Sequence, residues 1–129
     1  MVKFKSRYIL IETLFEDNKN HLFDSGKIAN IIKINVENYF GDIGLGKLHK
    51  NLQVKYVNNY TNLIIVRIGK ENLKIIWTAL SMINNIDGLL MKMHIIGVSG
   101  TIKRAEMKAK KYLEKWMNNY EQLNEKKIS

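Results

Sequence analysis

Cysteine and proline are both absent from the 129 residues, and glycine occurs only eight times. Without a thiol there is no disulfide scaffold, no thiolate metal site and no cysteine nucleophile. No purely apolar run exceeds four residues, whereas a membrane-spanning helix needs about 20. The opening, Met1 to Arg7, alternates cations with apolar residues. It has neither an apolar h-region nor a small-residue cleavage site, which predicts no signal peptide and a soluble intracellular chain. Catalytic groups are scarce too. His21, His49 and His94 are far apart and lack the i, i+4 spacing of a helical metal pair. No carboxylate pair or nucleophile–base arrangement stands out for acid–base work. Gly41, Gly44 and Gly46 follow a predicted helix instead of opening one, so they read as a flexible loop and not as a phosphate cradle.

What the chain has in excess is positive charge. Twenty-one basic residues against twelve acidic ones give +9, and the pI is near 9.7. Residues 1–7 contribute +3, residues 101–129 contribute +4, and the 93 residues between them only +2. Charge gathered at the two ends is the footprint of a polyanion partner, because each neutralised phosphate releases counterions. Lysine outnumbers arginine 18 to 3, and Lys, Ile and Asn make up 51 residues. Genomic codon bias therefore supplies part of that lysine. On this second reading the chain is a protein–protein or small-ligand module with no nucleic acid involved.

Periodicity predicts the elements. Tyr8 to Phe15 is apolar on both alternating faces, as a central strand is. Asp24 or Ser25 caps a helix carrying Ile28, Ile31, Ile32, Val36 and Tyr39 at helical spacing, with Gly41 at its C′ position. Leu52 to Asn58 and Thr61 to Ile68 form a hairpin around Asn58-Asn59. A helix from Glu71 has Leu73, Ile76, Trp77, Leu80 and Ile83 on its inner stripe and stops at Asn84 to Gly88; Leu89 to Val98 is the fourth strand. Thr101 caps a last helix whose inner stripe is Ile102, Ala105, Ala109, Tyr112, Leu113, Trp116, Tyr120 and Leu123. The order predicts an α+β domain of the split βαβ type, ferredoxin-like or RNA-recognition-like. Its antiparallel sheet has order 4-1-3-2, and the C-terminal helix is an addition. The expected organisation is a basic arm (1–7), one domain (8–123) and a frayed end (124–129).

Three basic features are the candidate RNA-binding residues. Lys3, Lys5 and Arg7 form the arm. In Ser99-Gly100-Thr101-Ile102-Lys103-Arg104, two cations sit in the first turn of a helix, where they oppose its dipole. A phosphate on the free amides there would reconcile them. Arg104, Lys108, Lys111 and Lys115 follow i, i+4, i+7 and i+11 and are expected as one stripe opposite the apolar face. The third strand, Asn62 to Ile68, carries no aromatic, so base stacking on the sheet is not expected.

The opening MVKFKSRYIL, the hairpin KYVNNYTNLIIVRIGKE, the helix IIWTALSMI and the segment IDGLLMKMHIIGVSGTIKRAE together resemble one family. It is the small protein subunit of ribonuclease P and ribonuclease MRP (the processing-of-precursors protein five family), in its eukaryotic branch. The resemblance runs from residue 1 to about residue 110. It implies an enzyme only at the level of a ribonucleoprotein that removes 5′ leaders from precursor tRNA and, as MRP, processes ribosomal RNA precursors. Catalysis there belongs to the RNA and its Mg²⁺; no catalytic residue, metal site or bound cofactor is implied for the protein itself. The implied partners are the ribonuclease P or MRP RNA, a thirty-kilodalton TIM-barrel-like subunit, the other proteins of these complexes and, from archaeal relatives, a second copy of the chain. No membrane is implied, and the implied location is the nucleus and nucleolus. The residues carried over as RNA-contacting are Lys3, Lys5, Arg7, Ser99, Gly100, Thr101, Lys103 and Arg104; Lys108 and Lys111 come from the stripe alone.

Overall fold

The two stretches that are apolar on both faces occupy the middle of the sheet. The structure is a computed structural model describing residues 5–17, 21–48, 52–59 and 61–128, the side chains of 42–48 and 119–128 excepted. Strand β1 (Ser6–Phe15) lies between β3 (Leu63–Gly69) and β5 (Leu89–Ser99), antiparallel to both; β2 (Gln53–Asn58) flanks β3. The full order, β2-β3-β1-β5-β4, is the expected 4-1-3-2 read from the other edge, with one strand more. That extra strand, β4 (Asn85–Ile86), is two residues long and turns onto β5 through Asp87 (φ 52°) and Gly88 (φ 82°). Positive φ at both turn residues matches the twist of a two-residue hairpin. The segment expected only to end a helix therefore also forms a short edge.

Alternation along β1 divides the core. Ile9 and Ile11 face helices α1 (Ser25–Leu48) and α2 (Leu73–Met82), packing with Ile28, Ile32, Ile76 and Leu80. Leu10 faces the other way with Leu63 and Ile65, under Ala105 and Ala109 of α3 (Ile102–Ile128). The alanines let the backbone of α3 come close, so the helix covers that part of the second sheet face. No described helix is long and apolar enough to cross a membrane.

Three helical expectations are corrected. Gly41 does break α1, at φ 72° and ψ −169°, but the helix then resumes to Leu48, so the expected glycine loop is helical. Gly44 and Gly46 weaken a helix by about 1 kcal/mol each relative to alanine without forbidding it. The second helix begins at Leu73, after a 3₁₀ turn over Lys70–Asn72, and buries Ile76, Ala79 and Leu80. Trp77, one step of about 100° round from Ile76, is 45% exposed. On α3, Trp116 belongs to the expected inner stripe yet is 61% exposed; the side chains of Tyr120 and Leu123 lie outside the described residues. The caps are as expected. Asp24 Oδ1 accepts the Lys27 amide at 2.7 Å, and Thr101 Oγ1 accepts that of Arg104 at 3.2 Å.

Candidate nucleic-acid interface

Strand register brings residues from three distant parts of the chain to one end of the sheet. Tyr8 pairs with Arg67 on one side and with Ser99 on the other. β1 begins at Ser6, so Arg7 belongs to the strand and not to an arm. Arg7 Nη1 donates to Ser6 O at 2.9 Å, and Arg67 Nε donates to Ser6 Oγ at 3.0 Å. Two guanidiniums thus hold one serine. Arg7 Nη1 also lies 4.0 Å from where a Cβ on Gly100 would be, which joins this pair to the start of α3. Lys5 stays alongside, its carbonyl accepting the Lys70 amide at 2.8 Å.

Lys103 and Arg104 are exposed on the first turn of α3. Among the described residues the ion pairs are His21 with Asp17 and Lys27 with Asp87, so the three arginines have no carboxylate partner. Uncompensated like charges on one surface weaken a fold and attract polyanions. At the end of β5, Ser99 Oγ is buried and has no hydrogen-bond partner among the described residues.

Arg67 was not among the expected residues. Its position inside LIIVRIG, the most apolar strand, hides it; the available signal was that arginine is rare here, with only Arg7, Arg67 and Arg104 in the chain. Lys3 lies outside the described residues.

The α3 stripe is only partly what spacing suggested. Lys108 Nζ donates to Val98 O at 2.8 Å and its chain lies 3.4 Å from where a Gly97 Cβ would be. The row sits about a third of a turn from the alanine face. It therefore borders the sheet instead of opposing it: Lys108, Lys111 and Lys115 line a groove with Ile96, Tyr112 and Asn118. Lys111 remains exposed.

Farther along, Tyr112 Oη donates to Glu12 Oε2 at 2.8 Å. Burial first, then that bond and the charge of Glu12, push the Tyr112 hydroxyl up to about 12. Among the described residues no three His, Asp or Glu side chains gather as a metal would require. His21 instead meets Asp17 at 2.9 Å and packs on Phe15.

The fold and this surface define a split βαβ domain whose second face is partly covered by a helix, with Arg7 and Arg67 both on Ser6 at the sheet end where that helix begins. Residues 7–110 match the model of the Rpp14/Pop5 family, and the chain belongs to that family. It is 36% identical over 120 residues to the ribonuclease P/MRP protein subunit POP5 of Schizosaccharomyces pombe, covering 84% of this chain and 86% of that protein. It is 31% identical over 141 residues to the POP5 subunit of Saccharomyces cerevisiae, covering 92% and 80%. A chain in the cryo-EM structure of yeast ribonuclease MRP shares the fold, with a TM-score of 0.62, 13% identity and coverage of 94% and 98%.

Proposed function

We propose that this chain is a non-catalytic, RNA-binding protein subunit of ribonuclease P and ribonuclease MRP. It supports 5′ leader removal from precursor tRNA and the processing of ribosomal RNA precursors by stabilising the folded RNA. The observation that carries this reading is the gathering of Arg7, Arg67 and Arg104 at one end of the sheet without a carboxylate partner among the described residues. Relatives similar over most of their length are named as ribonuclease P/MRP subunits, which supports the assignment to these assemblies. On this reading the RNA and its Mg²⁺ perform the cleavage, and the protein adds cations and backbone donors. The partners are then the ribonuclease P and MRP RNAs, the thirty-kilodalton TIM-barrel-like subunit and the remaining proteins, in the nucleus and nucleolus. Self-association into a homodimer is a separate expectation.

Purifying the native assembly through this chain and sequencing the co-purified RNA tests the reading directly. The ribonuclease P or MRP RNA is expected; an assembly free of nucleic acid would overturn it. With the isolated chain, affinity for structured RNA should fall steeply with salt, and Lys103→Glu with Arg104→Glu should lower the log–log slope by about 2. A slope equal to that of the wild type removes the sheet end from the interface.

A further inference from the structure

Helix α3 covers only part of its side of the sheet. It buries Leu10 of β1 with Leu63 and Ile65 of β3, and the half-buried Ile96 of β5 packs at the margin of that cluster. Farther back on β5, His94 pairs with Glu12, and Glu12 accepts the Tyr112 hydroxyl from α3. Residues directly opposite in an antiparallel pair share a face, and so do residues two apart on one strand. His94 and Lys92 therefore lie on the face toward α3, and both are exposed. Between strand and helix is a cleft of about 490 Å³, lined by Ile96 on one side and by Lys111, Tyr112, Lys115 and Asn118 on the other.

The cleft suits a chain of negative charges. Lys111 and Lys115 are exposed, stand one helical turn apart and belong to no ion pair among the described residues. Against them the lining carries the carboxylate of Glu114, while that of Glu12 is already bonded to Tyr112. Lys108, whose amine donates to Val98 O, joins the cleft to the sheet end. Cations thus run from Arg104 to Lys115, about 16 Å along the helix. A track of that length, with Ile96 and the Tyr112 ring as an apolar floor, fits a polymer of phosphates and sugars better than a cluster of acidic side chains. The volume takes one backbone and not the two of a duplex.

We propose that the cleft between α3 and β5 holds one unpaired RNA strand that continues from the sheet end. Its phosphates lie on Lys111 and Lys115, Lys92 supplies charge at the far end, and sugars and bases rest against Ile96 and Tyr112. This rests on the RNA-binding reading and deepens it, because it names the form of RNA and a second place of contact.

The test uses the full chain with two labelled probes, a short oligouridylate and a blunt RNA duplex. Lys111→Glu with Lys115→Glu should weaken oligouridylate binding at least about tenfold and lower its log–log salt slope by about 1–2. Lys55→Glu with Lys110→Glu makes the same charge change on β2 and on a side of α3 turned about 100° or more from the cleft lysines. It should weaken that binding by less than about threefold. All four lysines are exposed, so both variants keep the fold. Duplex affinity should fall equally in the two. Photocrosslinking of the wild type to a 4-thiouridine oligonucleotide should mark peptides spanning Lys92 to Gly97 and Lys108 to Asn118.

Equal loss of oligouridylate binding in the two variants overturns the cleft, as do crosslinks confined to Ser99 to Arg104. So does displacement of the oligouridylate by polyglutamate at equal charge concentration, which would make an acidic protein the occupant. If the wild type binds the duplex and no single strand, the cleft fails while the RNA-binding reading stands. If it binds neither probe, both fail.

Discussion

Tyr112→Phe isolates the polar half of the attachment that holds α3 on the sheet. The hydroxyl donates to Glu12 Oε2 at 2.8 Å across 100 residues of sequence, and Glu12 sits half-buried on central strand β1. Burial, the bond to Glu12 and the negative charge of Glu12 raise the tyrosine to about 12. A folded-state value above the ordinary value of about 10 favours the native state fully below pH 10, and this contribution disappears as pH rises through 12. Two pH units correspond to roughly 2.7 kcal/mol as an upper bound. The side chain is only partly buried, so solvent screening brings this to about 1 kcal/mol. The loss of a donor to an ionised carboxylate points to a similar size, about 1–2 kcal/mol. Urea unfolding at pH 7 should therefore show the variant less stable by about 1–2 kcal/mol with an unchanged m-value. Repeated between pH 10 and 12, the wild type should lose stability faster, until the two proteins converge. A loss below about 0.3 kcal/mol at pH 7, or a gap that stays constant to pH 12, would refute the clamp.

Other perturbations address elements that position the same surface. Trp77→Ser, at a position that is 45% exposed, should cost about 1–2 kcal/mol, less than Leu80→Ala on the same helix, which should cost about 2–5 kcal/mol in denaturant unfolding. Gly41→Ala meets nothing within 4 Å among the described residues, so its expected cost is backbone strain at φ 72° and ψ −169°, about 1–3 kcal/mol by thermal or urea unfolding. Lys108→Met removes the bond to Val98 O and should cost about 1 kcal/mol of stability. It should also change the salt slope of RNA binding less than Lys111→Met does, since the Lys108 amine is already committed to the sheet.

The sheet order was legible because burial on both faces leaves a mark that composition alone does not. Tyr8 to Phe15 and Leu63 to Ile68 have almost no polar positions, and only a strand with neighbours on both edges and layers on both faces supports that pattern. What stayed hidden depends on geometry with little sequence signal. A two-residue strand such as Asn85–Ile86 is too short for any period. The break at Gly41 was readable; the resumption of helix behind two further glycines was not. Trp77 and Trp116 sit at positions compatible with a broad apolar stripe, and the actual contact on each helix is narrower.

The interface divides along the same line. Residues adjacent in sequence, Ser99 to Arg104, could be read as a strand end, a cap and two cations, because capping chemistry is local. Arg67 could not, since its place beside Ser6 follows only from the β1–β3 register. Helix α3 connects these observations. By burying Leu10, Leu63 and Ile65 under its alanines it takes away the sheet surface on which a base would stack there. By starting at Thr101 it sets its open amides next to Gly100, which Arg7 approaches. One helix thus covers the sheet surface that base stacking would need and sets positive charge at the sheet end; on the RNA-binding reading proposed above, contact there would run through phosphate.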